Sequence, residues 1–211
     1  MATTSDTLQR SYPLQLTLTP QRYENRWWGI PIVGPVVRLI LLLPQLAVLA
    51  FEVVVGLFWL AVFGWVPILF KGIVPEVQAQ VLEDIIHRSN RVNAYLDLMP
   101  GGYPPFGVQE AGPTDTKFKF DGRPINQMWG VPVLGLAVRW FVLIPQLLVL
   151  AALTIAVYAV YLVVWIPIIV QGRFPDGVAT FYASVLRYGA RILAYGFLLP
   201  VPYPPFSLAA E

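Results

Sequence analysis

Residues 146–166 read QLLVLAALTIAVYAVYLVVWI, set between Pro145 and Pro167. The run has no charge, no glycine and no proline. As a helix rising about 1.5 Å per residue it would reach about 31 Å, close to the hydrocarbon thickness of a bilayer. A matching run, QLAVLAFEVVVGLFWLAVFGWV over residues 45–66, lies between Pro44 and Pro67 and differs in holding one carboxylate, Glu52. Water-soluble chains rarely offer two apolar runs of this length. Across 211 residues, 57% are hydrophobic and only 12% charged, which points the same way. The expected class is an all-α integral membrane protein.

The two runs belong to a longer self-similarity. Trp28-Gly29, Pro31, Gly34, Arg38 and Pro44-Gln45-Leu46 recur at an offset of 101 as Trp129-Gly130, Pro132, Gly135, Arg139 and Pro145-Gln146-Leu147. Beyond the runs the offset is 100: Trp65, Pro67, Ile68, Gly72, Pro75, Arg91, Ala94-Tyr95 and Tyr103-Pro104-Pro105-Phe106 recur from Trp165 to Phe206. One residue has therefore been gained or lost inside the apolar run, between Leu49 and Trp65. A register this long marks two tandem copies. The expected organisation is a polar N-terminal segment over residues 1–27 with a short strand, a first membrane repeat over 28–107, a Gly/Pro-rich linker over 108–124 and a second repeat over 125–211.

Each copy reads in the same order. Tyr12 to Thr19 alternates Leu with Gln and Thr, the period-two pattern of a half-buried strand, and Lys117 to Phe120 echoes it. Next comes one arginine six residues before the proline that opens the run. Gly72 or Gly172 and then Pro75 or Pro175 stop the long helix and start the next. That next helix is amphipathic. Its apolar face holds Val77, Val81, Leu82, Ile85, Ile86, Val92, Leu96 and Met99 in copy one, and Val178, Phe181, Tyr182, Val185, Leu186, Ile192 and Leu193 in copy two. Tyr-Pro-Pro-Phe closes each copy with a stiff extended segment, expected to pack on the approach to the run or to sit at the interface.

The candidate functional residues follow from this layout. His87, Arg91 and Tyr95, and Arg187, Arg191 and Tyr195, fall at i, i+4, i+8 on the face opposite the apolar one. Such a stripe suits a helix lying beside anionic lipid headgroups, packed flat on its own spanning helices, or meeting a partner. Arg38 and Arg139 can bury their methylenes and lift a guanidinium to the phosphates, and Trp65 and Trp165 favour the membrane boundary, so all four are candidate anchors. Glu52, a carboxylate within an apolar run, is the candidate for an ion pathway. Glu76, Glu83 and Asp84 read as a solvated face.

Other chemistries are poorly served. The chain has no cysteine and one histidine, which removes disulfides, thiolate sites and paired-histidine metal sites. A net charge of +2 with no Lys/Arg run gives nucleic acid no footprint. No nucleophile elbow, phosphate loop, zinc-protease or dinucleotide fingerprint occurs, so no catalytic residue, cofactor or metal is expected.

The segments RSNRVNAYL and YPPFG within residues 88–107, and RYGARILAY and YPPFSL within residues 187–208, resemble the bacterial membrane family of the domain of unknown function 4389 (DUF4389). RLILLLP at 38–44 and the FKG and QGRFP elements at 70–72 and 171–175 add to the resemblance. It spans almost the whole chain as two copies and implies a bacterial plasma-membrane protein with no established catalytic residue. Copy one departs from the family pattern in having His87 and Asn90 where an arginine and a small residue are expected.

The expected function is a non-enzymatic, multi-pass plasma-membrane protein, an accessory or scaffold subunit held by lipids and by a larger membrane complex or its own oligomer. The alternative is a small transporter or ion-conducting protein built by inverted duplication. One crossing per copy inverts the second copy relative to the first; a hairpin in each tract leaves both facing the same way. Two crossings are the preferred reading.

Overall fold

The computed structural model describes residues 14–18, 29–30, 33–99, 102–107, 114–118 and 124–208. The linker between the copies is described only in part; Tyr12, Trp28, Pro31, Phe120 and Asp121 lie outside the described residues. In chain order the elements are strand β1 (Leu14–Leu18), helix α1 (Val33–Trp59), a π-helical segment (Leu60–Gly64), α2 (Trp65–Lys71), α3 (Glu76–Leu96), β2 (Thr114–Phe118), a 3-10 turn (Gln127–Gly130), α4 (Leu134–Val142), α5 (Ile144–Gln171) and α6 (Asp176–Gly196).

The hairpin reading of the apolar tract does not hold. From Val33 to Lys71 the chain stays helical without reversing, and Pro44 sits inside α1. Two helices, Val33–Lys71 and Ile144–Gln171, are long and apolar enough to cross a membrane. The reversal comes later, at Gly72 and Gly172, both left-handed with φ of 64° and 63°. Each amide there donates to the carbonyl of Ile68 or Ile168. Glycine takes this conformation without a Cβ clash, and Pro75 or Pro175 then caps the returning helix.

The returning helix runs antiparallel along its long helix. In copy one Arg38 meets Tyr95, Glu52 meets Arg88, Gly56 meets Ile85 and Gly64 meets Gln78. In copy two Gln146 meets Tyr188, Leu150 approaches Gly189, and the Tyr182 hydroxyl donates to the Val157 carbonyl. α3 and α6 also pack on each other, with β1 on α6 and β2 on α3.

Contacts between the halves come in exchanged pairs. A Cβ at Gly29 would collide with Ile168, and a Cβ at Gly130 with the backbone of Ile68 and Leu69. Ile168 shares a cluster with Ala94, Leu98 and Met99, and Ile68 with Ala194, Leu198 and Leu199. Leu98 and Leu198 are the same left-handed exception to backbone preference. Strand pairing is antiparallel, with Leu14 opposite Phe118, Leu16 opposite Thr116 and Leu18 opposite Thr114. Exchanging the copies maps this register onto itself about the Leu16–Thr116 pair. That is the contact pattern of a two-fold interface.

The extra residue of copy one is visible as local structure. An added residue in an α-helix rotates everything after it by about 100°. Here it is absorbed in the π segment Leu60–Gly64, while the same stretch of α5 is regular. Both long helices thus keep one inward stripe: Gln45, Leu60, Gly64 and Ile68 in copy one, Gln146, Val157, Val164 and Ile168 in copy two. The buried Gln78 amide lies against Gly64, at the bulge. At the two equivalent places copy two has Val164 and Val178.

Deleting exposed Val62 from the π segment should convert it to α-helix with a change in melting temperature under about 4 °C. Deleting exposed Ile155 from α5 should turn its inward stripe outward and lower the melting temperature by about 10 °C or more, read by circular dichroism in detergent.

Candidate functional site

The candidate site is a pair of buried polar clamps, one per copy, built on residues the sequence places at matching positions. In copy one Arg38 Nη1 donates to the Tyr95 carbonyl at 2.7 Å, and its guanidinium lies over the Tyr95 ring, 4.7 Å from the centroid. Gln45 Nε2 donates to the Pro104 carbonyl at 2.7 Å. In copy two Arg139 Nη1 donates to the Tyr195 carbonyl at 2.8 Å, with the guanidinium 4.6 Å from that ring, and Gln146 Nε2 donates to the Pro204 carbonyl at 2.7 Å. Arg38 and Arg139 are 2% and 3% exposed, and both glutamines fully buried.

These placements correct the reading of Arg38 and Arg139 as headgroup anchors. A guanidinium can stay in an apolar surrounding when carbonyls and an aromatic face receive it. The carbonyls are supplied where α3 and α6 end, because a terminal turn leaves its last C=O groups without intrahelical partners. Arg91 Nη1 and Arg191 Nη1 then fasten the tails further along, donating to the Gly107 carbonyl at 3.2 Å and the Ser207 carbonyl at 3.0 Å.

The stripe, for which the sequence allows headgroup, partner and own-helix settings alike, faces the interior of the chain. His87, Arg91, Tyr95, Arg187, Arg191 and Tyr195 are all buried within the chain. The Tyr-Pro-Pro-Phe tails lie back along α3 and α6, so the polar face meets carbonyls of its own chain. Proline favours that outcome: it keeps the tail extended, and its carbonyl still accepts. Conversely Val77 and Val81, assigned to the apolar face, are exposed. Trp65 and Trp165 are partly exposed, and each indole N–H donates to its own helix, at the Val62 and Leu162 carbonyls.

Glu52 is engaged in an ion pair. Arg88 Nε contacts its Oε2 at 2.8 Å, Arg88 Nη1 donates to Gln45 Oε1 at 3.1 Å, and Arg88 Nη2 donates to the Phe106 carbonyl at 3.0 Å. At the matching place in copy two the Tyr188 hydroxyl donates to Gln146 Oε1, and Leu153 stands opposite in place of the carboxylate. Arg88 has Glu52 as its counter-charge, whereas the neutral Tyr188 phenol calls for none, in keeping with a carboxylate in only one of the runs. Neither Gln45 and Gln146 nor Arg88 and Tyr188 were among the candidates. Recurrence of the glutamines at the copy offset was the available signal.

Outside the long helices several groups are perturbed. Burial pushes the half-buried Asp97 carboxyl up to about 7. Glu83 is raised to about 7, first by burial and then by the charge of Asp84, so it is only partly the solvated residue expected. Burial lowers the Arg187 pKa, and neighbouring Arg191 adds to this. Among the described residues no three His, Asp or Glu side chains come together as metal ligands would. What the arrangement does chemically is hold an irregular segment against two helices.

Arg88→Ala should leave Glu52 and the Gln45 carbonyl oxygen without their donor and cost about 3–5 kcal/mol. The pair Arg88→Tyr with Glu52→Leu, which writes copy two into copy one, should recover most of that loss. Thermal melts of the two single variants and the double variant measure the coupling.

No curated protein and no solved structure matches the chain. Residues 134–207, which hold α4, α5, α6 and the second clamp, match the domain of unknown function DUF4389. The chain therefore carries a DUF4389 domain in its second half.

Proposed function

We propose that the chain is a non-enzymatic integral protein of the bacterial plasma membrane, built from two tandem copies of one unit, that serves as an accessory or scaffold subunit of a larger membrane complex. The observation that carries this reading is the contrast between the two surfaces of each long helix. α1 and α5 use one narrow stripe for contact with the rest of the chain and leave the remainder apolar and open, as at Phe51, Val54, Phe58, Ile155, Leu162 and Val170. An apolar surface of that extent on a single chain calls for acyl chains or for other membrane helices. The exchanged contacts and the matched clamps support two copies of one unit.

The polar groups support a structural role over a transport role. Glu52 is engaged by Arg88, and the arginines of the stripe are spent on carbonyls of the chain itself. A conducting path through Glu52 would have to break that pair. Anionic lipids would meet the more exposed cations Lys71 and Arg173 at the ends of the long helices.

Purification of a tagged full-length chain from native membranes in mild detergent tests the reading. The expected result is a larger membrane complex recovered in fixed stoichiometry. Recovery of a self-associated chain whose reconstituted vesicles pass ions, with flux lost on Glu52→Gln, would favour the transporter reading instead.

A further inference from the structure

We propose that the two long helices lie along one leaflet of the membrane, with the β ribbon and the proline tails turned to water, so that neither copy crosses the bilayer. This rests on the membrane reading above and replaces the two-crossing expectation. The seat would be the apolar flank formed by α1 and α5, and its partner the acyl chains of a single leaflet.

Length is the first ground. Val33–Lys71 is one helical run of 39 residues, with Val33 and Phe70 near its two ends both exposed. At about 1.5 Å per residue it reaches about 58 Å, against a hydrocarbon core of about 30 Å. Fitting its apolar surface into a crossing would need a tilt of about 60°, beyond the roughly 0–40° that crossing helices show. A helix lying in the plane has no such limit.

The second ground is what lies at mid-length. Glu52 is the midpoint of that run, and its partner Arg88 holds the Phe106 carbonyl of the tail. Phe106 and Phe206 are more than half exposed. The β ribbon packs on α3 and α6 and centres on the Leu16–Thr116 pair, about which the two copies exchange. In a crossing arrangement with the copies inverted, that axis lies in the bilayer midplane. A ribbon that has two strands among the described residues, both of them edges there, would then stand in the hydrocarbon centre. Open sheet edges are not sustained there, because their N–H and C=O groups find no partners. Turning the axis along the membrane normal moves the ribbon to water and gives both copies the same view of one leaflet.

The chain has no native cysteine, so single introduced cysteines report cleanly. Lys71 and Arg173 are exposed and stand at opposite ends of the molecule, since Ile68 packs at the start of copy two and Ile168 at the start of copy one. The full-length variants Lys71→Cys, Arg173→Cys, Phe106→Cys and Phe206→Cys would be expressed in a bacterial host. Each would be treated with a membrane-impermeant maleimide in spheroplasts and in inverted vesicles, after confirming that it stays in the membrane pellet through a carbonate wash. The expected result is labelling of all four from one and the same face. Labelling of Lys71→Cys and Arg173→Cys from opposite faces would overturn the in-plane seat while leaving the membrane reading intact. Protection of both tail cysteines until detergent is added would also overturn it, since lipid or a partner protein would then cover that face. Release of the parent chain by the carbonate wash would instead defeat the membrane reading itself.

Discussion

A guanidinium or amide placed among apolar helices needs an acceptor, and Arg38, Gln45, Arg139 and Gln146 find theirs in carbonyls of a helix end or a proline tail. That requirement shapes the rest. Arg38 and Arg139 reach the last turns of α3 and α6, and Gln45 and Gln146 reach the tails beyond them, so each long helix is tied to its returning helix at a fixed register. On the proposed membrane reading, helices in lipid gain little from burying apolar surface against each other, because acyl chains are as apolar as leucine. Directed bonds and close approach at small residues such as Gly56 and Gly64 would then supply the registration.

The same logic explains how the two halves differ in sequence while keeping matching contacts. Copy one carries an extra residue and absorbs it in a π turn, keeping the inward stripe in phase. It also carries Arg88 where copy two carries Tyr188, and it keeps Glu52 to neutralise the cation. The added residue is absorbed inside its own helix, and the added cation is neutralised by a carboxylate on the helix it packs against. Among the parts that recur without change, the Arg, the Gln and the Tyr-Pro-Pro-Phe tail bond across elements.

Much of the architecture was legible in the residues. The long apolar runs, the Gly-x-x-Pro reversals, the amphipathic helices and the inserted residue all follow from periodicity and self-alignment, and the short strand of residues 14–18 follows from its alternation. Less legible was the direction of the polar face. A basic stripe opposite an apolar one reads as facing headgroups, because local sequence cannot show that a proline tail will fold back to cover it. Helix ends and prolines both offer carbonyls that can accept from a side chain, and that chemistry becomes visible only when tail and helix are placed together. Recurrence was a better guide than charge: polar residues repeated at the copy offset became clamps, whereas Glu52, which is not repeated, turned out to be a counter-ion.

The direct test of the clamps is limited proteolysis of membranes containing the full-length chain with Arg38→Met and Arg139→Met together. With both guanidinium bonds gone, the doubly substituted chain is expected to remain in the membrane, with cleavage appearing within residues 97–107 and 197–208 where the parent resists. A digestion pattern and melting temperature indistinguishable from those of the parent would contradict the claim that these buried bonds hold the returning helices in register.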